Sequence, residues 1–191
     1  MKVSHRLKSL FTSQTRSKLI AIFFSHITEL YYVRELVRLT EEEINSVRRE
    51  LENMKNSGLI SSEVRGNRLY YWANRDHFLA YQLQILASQQ TPPFSEIIEN
   101  KAKIGNIKYI LVSQEFLNAT HGNGLDMIIV GDVSLKPIED IIKKAETTSQ
   151  TEINYMIMDK EEFRIRQLKR DPILIEFLTN LPAIIYGQPG L

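Results

Sequence analysis

The sequence predicts an α/β protein in two parts, an α+β unit over residues 1–90 and a small α/β unit over residues 91–191. Three observations lead there. First, Glu43 to Trp72 reads as a helix running into a two-stranded hairpin. Second, Gln89-Gln90-Thr91-Pro92-Pro93 is polar and ends in two prolines, the texture of an interdomain linker. Third, short apolar runs alternate with helical patterns after residue 93, which is how a sheet with packed helices is encoded. A chain of 191 residues has room for two units of about 95 residues, each able to bury its own core.

Within Glu43 to Ser57 the apolar residues Ile44, Val47, Leu51 and Met54 fall three or four apart and form one stripe on a helix. The opposite arc carries Asn45, Ser46, Arg49 and Asn53, with Arg48 and Lys55 on its flank. Gly58 supplies a helix stop, and Leu59 can pack back on the last turn. Leu59 to Glu63 and Leu69 to Ala73 are strand-like, joined by Val64-Arg65-Gly66-Asn67-Arg68, a turn with arginines at its tip.

Earlier in the chain, residues 1–11 read as a short helical or irregular arm. A helix capped by Thr12 or Ser13 follows to about His26, its broad apolar face made by Leu19, Ile20, Ile22, Phe23 and Ile27. Tyr31 to Leu39 reads as a shorter helix with Val33, Leu36 and Val37 inward and Arg34 and Arg38, four apart, outward together. Thr40 is expected to cap the next helix. After the hairpin, His77 to Ser88 is helical, but Phe78, Leu79, Tyr81, Leu83, Ile85 and Leu86 spread over more than one stripe. A second subunit would cover the extra side and make a homodimer; the C-terminal unit is the other possible cover.

Over residues 12–75 this order, with Val47-Arg48-Arg49-Glu50-Leu51-Glu52-Asn53-Met54-Lys55-Asn56-Ser57-Gly58-Leu59-Ile60 at its centre, resembles the winged helix-turn-helix family. The resemblance implies that the third helix enters the major groove of double-stranded DNA and reads base edges while the wing touches phosphate or an adjacent minor groove. On that footing Arg49 suits guanine and Asn45 suits adenine, each pairing worth about 1–3 kcal/mol of discrimination. Arg34, Arg38, Arg48, Arg65 and Arg68 suit phosphate, which gives affinity and salt dependence but little sequence information. Glu41, Glu42 and Glu43 favour the helix dipole yet would repel a phosphate backbone. A charged helix face is also simply well solvated, and winged helices serve as protein-binding modules as well.

The charge is unevenly distributed. Residues 1–90 hold thirteen Lys and Arg against nine Asp and Glu, and the remainder holds eleven against fourteen, so a basic first unit precedes an acidic second one. With no cysteine, disulfides and thiolate metal sites are excluded. Met1 to Leu10 is interrupted by Lys2, Arg6 and Lys8, and the longest nearby apolar run is Leu19 to Phe24, neither a secretory signal nor a membrane span. A cytoplasmic protein is expected. His5, His26, His77 and His121 are scattered, and only His26 has a carboxylate, Glu29, one turn away, so no metal site and no cofactor is expected.

In the second unit, Pro93 to Ile104 reads as a helix closed by Gly105, and Ile107 to Val112 as a buried strand. A polar segment, Ser113 to Gly124, leads to a second buried strand, Leu125 to Val130, ending at Gly131-Asp132. Lys136 to Glu146 (helix), Glu152 to Met158 (strand), Lys160 to Arg170 and Ile173 to Asn180 (helices) and Pro182 to Tyr186 (strand) complete it. Gly122-Asn123-Gly124 is a loop rather than a phosphate cradle, since no Lys-Ser or Lys-Thr follows.

Ile107 to Tyr186 resembles, in order and texture, the small polymerase-beta-like nucleotidyltransferase domains. That family uses Gly-Ser, an Asp-x-Asp pair and a third carboxylate to hold divalent metal under a triphosphate. Here Val112-Ser113 stands for Gly-Ser, Gly124-Leu125-Asp126 for Asp-x-Asp, and Asn154 for the third acid. One carboxylate cannot clamp a metal pair, so no catalytic residue is assigned and no nucleotide transfer is expected. Asp126 reads equally as a residue that opens a strand by bonding a turn. Ser113, Gly124, Asp126 and Asn154 remain a candidate pocket for a nucleotide or other small effector.

The resulting expectation is a DNA-binding transcription regulator with a non-catalytic, ligand-sensing or bracing C-terminal unit. Its rivals are a divergent nucleotidyltransferase acting on RNA or protein, and an antitoxin-like protein-binding adaptor.

Overall fold

The computed structural model describes residues 11–120 and 124–189; the expected arm at residues 1–10 and the His121-Gly122-Asn123 part of the polar segment lie outside them. The chain is a mixed α/β protein with ten helices and two sheets among the described residues, and it divides into two compact units between Gln90 and Thr91.

The N-terminal unit begins with α1 (Gln14–Ser25), whose cap is Ser13: its hydroxyl accepts the Arg16 N–H at 3.2 Å. Strand β1 (Tyr31–Tyr32) and helix α2 (Val33–Thr40) follow. The expected helix start at Tyr31 is therefore wrong by two residues. The paired tyrosines join the sheet because aromatic side chains favour a pleated surface on which they meet cross-strand partners. Thr40 does not cap the next helix either. It is the last residue of α2, its hydroxyl donates to the Leu36 carbonyl at 2.7 Å, and Glu41 makes the left-handed turn that follows.

Helix α3 (Ile44–Asn56) buries Val47, Leu51 and Met54, as a period of 3.6 requires, and Leu59 N–H returns to the Met54 carbonyl to close its last turn. Strands β2 (Ile60–Arg65) and β3 (Arg68–Ala73) pair antiparallel through a two-residue turn, Gly66-Asn67, with Arg65 opposite Arg68. Gly66 takes φ +60° and Asn67 is not among the positive-φ residues, the pattern of a II′ turn with glycine first. Strand β1 adds to the far side of β3, giving the sheet order β1-β3-β2. Helix α4 (Ala80–Ser88) is shorter than expected, since residues 77–79 form a turn, and it lays Ala80, Leu83 and Ala87 into a core with Leu19, Ile20 and Phe23 of α1.

The C-terminal unit opens with α5 (Phe94–Glu99) and α6 (Lys101–Ile104). The single helix expected over residues 93–104 is broken at Asn100, whose side-chain amide donates to the Glu96 carbonyl at 2.8 Å, a side chain to backbone bond that competes with the helix. Strand β4 (Gly105–Val112) starts two residues early. Helix α7 (Gln114–Leu117), capped by Ser113, occupies part of the segment expected to be irregular. Then come β5 (Met127–Val133), α8 (Leu135–Ser149), β6 (Tyr155–Met158), α9 (Lys160–Leu168), α10 (Pro172–Thr179) and β7 (Ala183–Gly187).

Their sheet has the order β6-β5-β4-β7, with β4 antiparallel to both β5 and β7, and β5 parallel to β6. Gly131, expected to end its strand, lies inside it, where Asn106 approaches too closely for a side chain. One face packs Tyr109, Leu111, Ile128 and Val130 against Phe163 of α9 and Leu174 and Phe177 of α10. The alternate residues Ile110, Val112, Met127 and Ile129 are buried as well, which explains why both strands read as continuous apolar runs.

Candidate functional site

Helix α3 is held from behind by apolar packing and by one ion pair. Glu50 lies on its inward side at 4% exposure, and its carboxylate receives Arg16 Nε from α1 at 2.9 Å. Burial pushes that carboxyl up. A bond from Ser13, the bond and charge of Arg16, and a bond from Asn53 outweigh burial and leave it below its ordinary value. Asn53, expected to face DNA, is thus tied to Glu50 although it is exposed.

The outward side of α3 carries Asn45, Arg48 and Arg49, all exposed, and Ser46, half-buried. Beside it runs a groove of about 390 Å³ bounded by the start of α2 (Tyr32, Val33, Arg34), the start of α3 (Ile44, Arg48) and the hairpin (Asn67, Arg68, Leu69). An adjoining concavity of about 400 Å³ is lined by Tyr32, Arg34, Val37, Arg38 and Ile44. The two hollows bring Arg34, Arg38, Arg48 and Arg68 to one surface, and neither lining contains a carboxylate. Around Tyr32, Arg38 Nη2 donates to the phenol oxygen at 2.9 Å and the Arg68 guanidinium stands 4.8 Å from the ring centroid.

Arg65 is placed differently. It points from the end of β2 to Glu63, Nε to Oε2 at 2.8 Å, with both side chains 55% exposed. Of the three glutamates before α3, Glu42 is partly neutralised, because it accepts hydrogen bonds from Lys18 at 2.6 Å and from Thr15 at 3.3 Å. Sequence reasoning missed Tyr32, Glu50 and Glu63. The readable signals were the aromatic pair Tyr31-Tyr32 with a second pair at Tyr70-Tyr71, and a charge, Glu50, one position before Leu51 of the apolar stripe.

In the C-terminal unit, Ser113, Gly124, Asp126 and Asn154 line one cavity of about 660 Å³, together with Glu115, Glu176, Asn180 and the apolar Leu125, Tyr155, Met156, Ile173 and Phe177. Backbone bonds set its floor. Asp126, 5% exposed, accepts the Asn154 N–H on Oδ2 at 2.8 Å, and its own N–H donates to the Asn154 carbonyl at 2.8 Å. The Ser113 N–H donates to the Asp126 carbonyl at 2.8 Å, and the Ser113 hydroxyl accepts the Phe116 N–H at 3.1 Å as the cap of α7. These bonds splice β4, β5 and β6 at one end of the sheet. Among the described residues, the cavity wall holds Glu115, Asp126 and Glu176 but neither Lys nor Arg. Among the described residues, no group of three or more His, Asp or Glu side chains converges on a point where a metal ion could sit, and no helix is long and apolar enough to cross a membrane. No protein-family model, no curated protein and no solved structure matches the chain.

Proposed function

We propose that the protein is a sequence-specific, double-stranded DNA-binding transcription regulator whose N-terminal unit is a winged helix-turn-helix. The observation that carries this reading is the exposed polar ridge of α3 lying next to two adjoining hollows that together gather four arginines and, among the described residues, no carboxylate. A helix with Asn45 and Arg49 on its outer side has the donors and acceptors that base edges in a major groove require. The guanidinium groups of Arg34, Arg38, Arg48 and Arg68 suit the flanking phosphates. The hairpin with sheet order β1-β3-β2 supplies the wing. Selection of genomic fragments with the purified protein tests the reading: enrichment of one motif is expected, and recovery of random fragments at every salt concentration contradicts it.

The C-terminal unit is a nucleotidyltransferase-like domain that senses a ligand or braces the assembly rather than transferring nucleotides. The succession β4, Ser113, α7, β5 beginning beside Asp126, and β6 beginning beside Asn154 supports the likeness. The engagement of the Asp126 carboxylate by the main-chain amide of Asn154 supports the loss of catalysis. Among the described residues its wall has carboxylates and no Lys or Arg, which favours a neutral or positively charged small molecule over a nucleoside triphosphate. Incubation with labelled ATP and Mg²⁺ checks this, and turnover that disappears in Asp126→Asn would overturn it.

Phe78, 80% exposed, and Leu79 stand at the start of α4 and support a homodimer that presents two α3 helices about one duplex turn apart. Sedimentation equilibrium decides between dimer and monomer.

A further inference from the structure

Tyr32 is where three elements of the N-terminal unit meet. It ends β1, it directly precedes the first residue of α2, and its main chain pairs with Tyr70 of β3. Its side chain serves two cations from different elements. Arg38, on the last turn of α2, donates from Nη2 to the phenol oxygen at 2.9 Å, while Arg68, at the hairpin, lays its guanidinium 4.8 Å from the ring centroid. The edge of Tyr70 steadies the ring, with centroids 6.1 Å apart.

An arginine side chain loses much rotamer freedom when a ligand fixes it, so one already held in place binds with less entropic cost. Holding several guanidinium groups around hollows that contain no carboxylate is unfavourable unless an anion arrives to occupy them. The hollows flanking Tyr32 are lined by Arg34, Arg38, Arg48 and Arg68 with no acidic residue among their walls.

We infer that Tyr32 is a positioning residue of the DNA-binding face: its hydroxyl sets Arg38 and its ring sets Arg68, so that α2 and the hairpin offer two aligned guanidinium groups to one run of phosphates. The inference rests on the proposed function and adds to it a residue that need not touch DNA. It also separates the two arginines of the hairpin tip, since Arg68 is directed to the groove by Tyr32 while Arg65 is held by Glu63.

The test uses the full-length protein and a labelled random-sequence duplex at low salt, where phosphate contacts dominate. Tyr32→Phe, which keeps the ring and removes the bond to Arg38, should weaken binding about threefold. Tyr32→Leu, which removes both functions, should weaken it about tenfold. Urea midpoints read from Trp72 fluorescence confirm that each variant is folded. The deciding readout is a double-mutant cycle: Tyr32→Phe should cost nothing further in an Arg38→Ala background, whereas a merely structural tyrosine gives independent losses that multiply. Unchanged affinity of Tyr32→Phe, or an equal loss with and without Arg38, overturns the inference while leaving DNA binding intact. Failure of the unaltered protein to retain the duplex overturns the proposed function, and this inference with it.

Discussion

Replacing Glu50 by Gln probes how the α3 ridge is held in place. Its carboxylate is almost fully buried while its partner Arg16 remains 37% exposed. An exposed pair is worth about 0–1 kcal/mol, and removing one partner of a fully buried pair costs about 3–5 kcal/mol. Here the guanidinium left behind can return to water, so the expected cost lies between these limits, about 2 kcal/mol. Trp72 is the chain's only tryptophan and stands on β3, so its fluorescence follows the N-terminal unit alone. With a urea slope of about 1 kcal/mol per molar for a unit of this size, the midpoint should fall by roughly 2 M at pH 7.

The pH dependence has a definite sign. The folded carboxyl titrates below its ordinary value of 4.5, so its contribution is complete above pH 4.5 and disappears as pH falls through the folded value. Glutamine does not titrate, and the two proteins should therefore converge in acid. Equal midpoints at pH 7, or a gap that persists undiminished in acid, would refute the assignment of Glu50 as the tie between α1 and α3.

Three further outcomes are expected. Glu63→Gln releases Arg65 from its carboxylate, so random-sequence duplexes should bind a few-fold more tightly and with a salt slope steeper by about 1, measured by fluorescence anisotropy. Gly105→Ala places a methyl 2.5 Å from the Asp132 carbonyl oxygen at a φ of +125°. It should destabilise the C-terminal unit by about 2–4 kcal/mol, seen as faster amide exchange along β4 and β5. Burial, with Glu29 and Glu35 adding to it, pushes the Tyr31 phenol up to about 12. A raised folded value means full stability below the ordinary value of 10.0 and loss as pH climbs from there, so Tyr31→Phe should flatten the alkaline fall in the Trp72 melting temperature.

Much of this arrangement was legible in the residues because its signals are local. Val47, Leu51 and Met54 mark the inner side of α3 through their spacing alone, and Gly66-Asn67 marks the hairpin through its conformational demand. Ser113, Gly124, Asp126 and Asn154 fall on one cavity because strand ends carry them to the same end of the sheet. What escaped depends on partners distant in sequence. Tyr31 and Tyr32 form a strand only because β3 is there to receive them, and Glu50 can be buried only because Arg16, 34 residues earlier, comes to meet it. Asn100 breaks a helix whose apolar spacing is unbroken, since its side chain captures a carbonyl of the preceding turn. Arg65 and Arg68 look equivalent in the sequence and are not, because their neighbours across and beside the hairpin are Glu63 and Tyr32.

The most direct test of the account is the salt dependence of duplex binding by the full-length protein, followed for the unaltered chain and for Arg49→Ala. With Arg34, Arg38, Arg48 and Arg68 on phosphates, the logarithm of the affinity should fall linearly with the logarithm of salt concentration at a slope of about −3 to −4 per protomer. Arg49→Ala should keep that slope while losing preference for the selected motif. Absence of binding even at low salt, or an affinity indifferent to salt, would contradict the claim that this ridge and its arginine-lined groove receive a double helix.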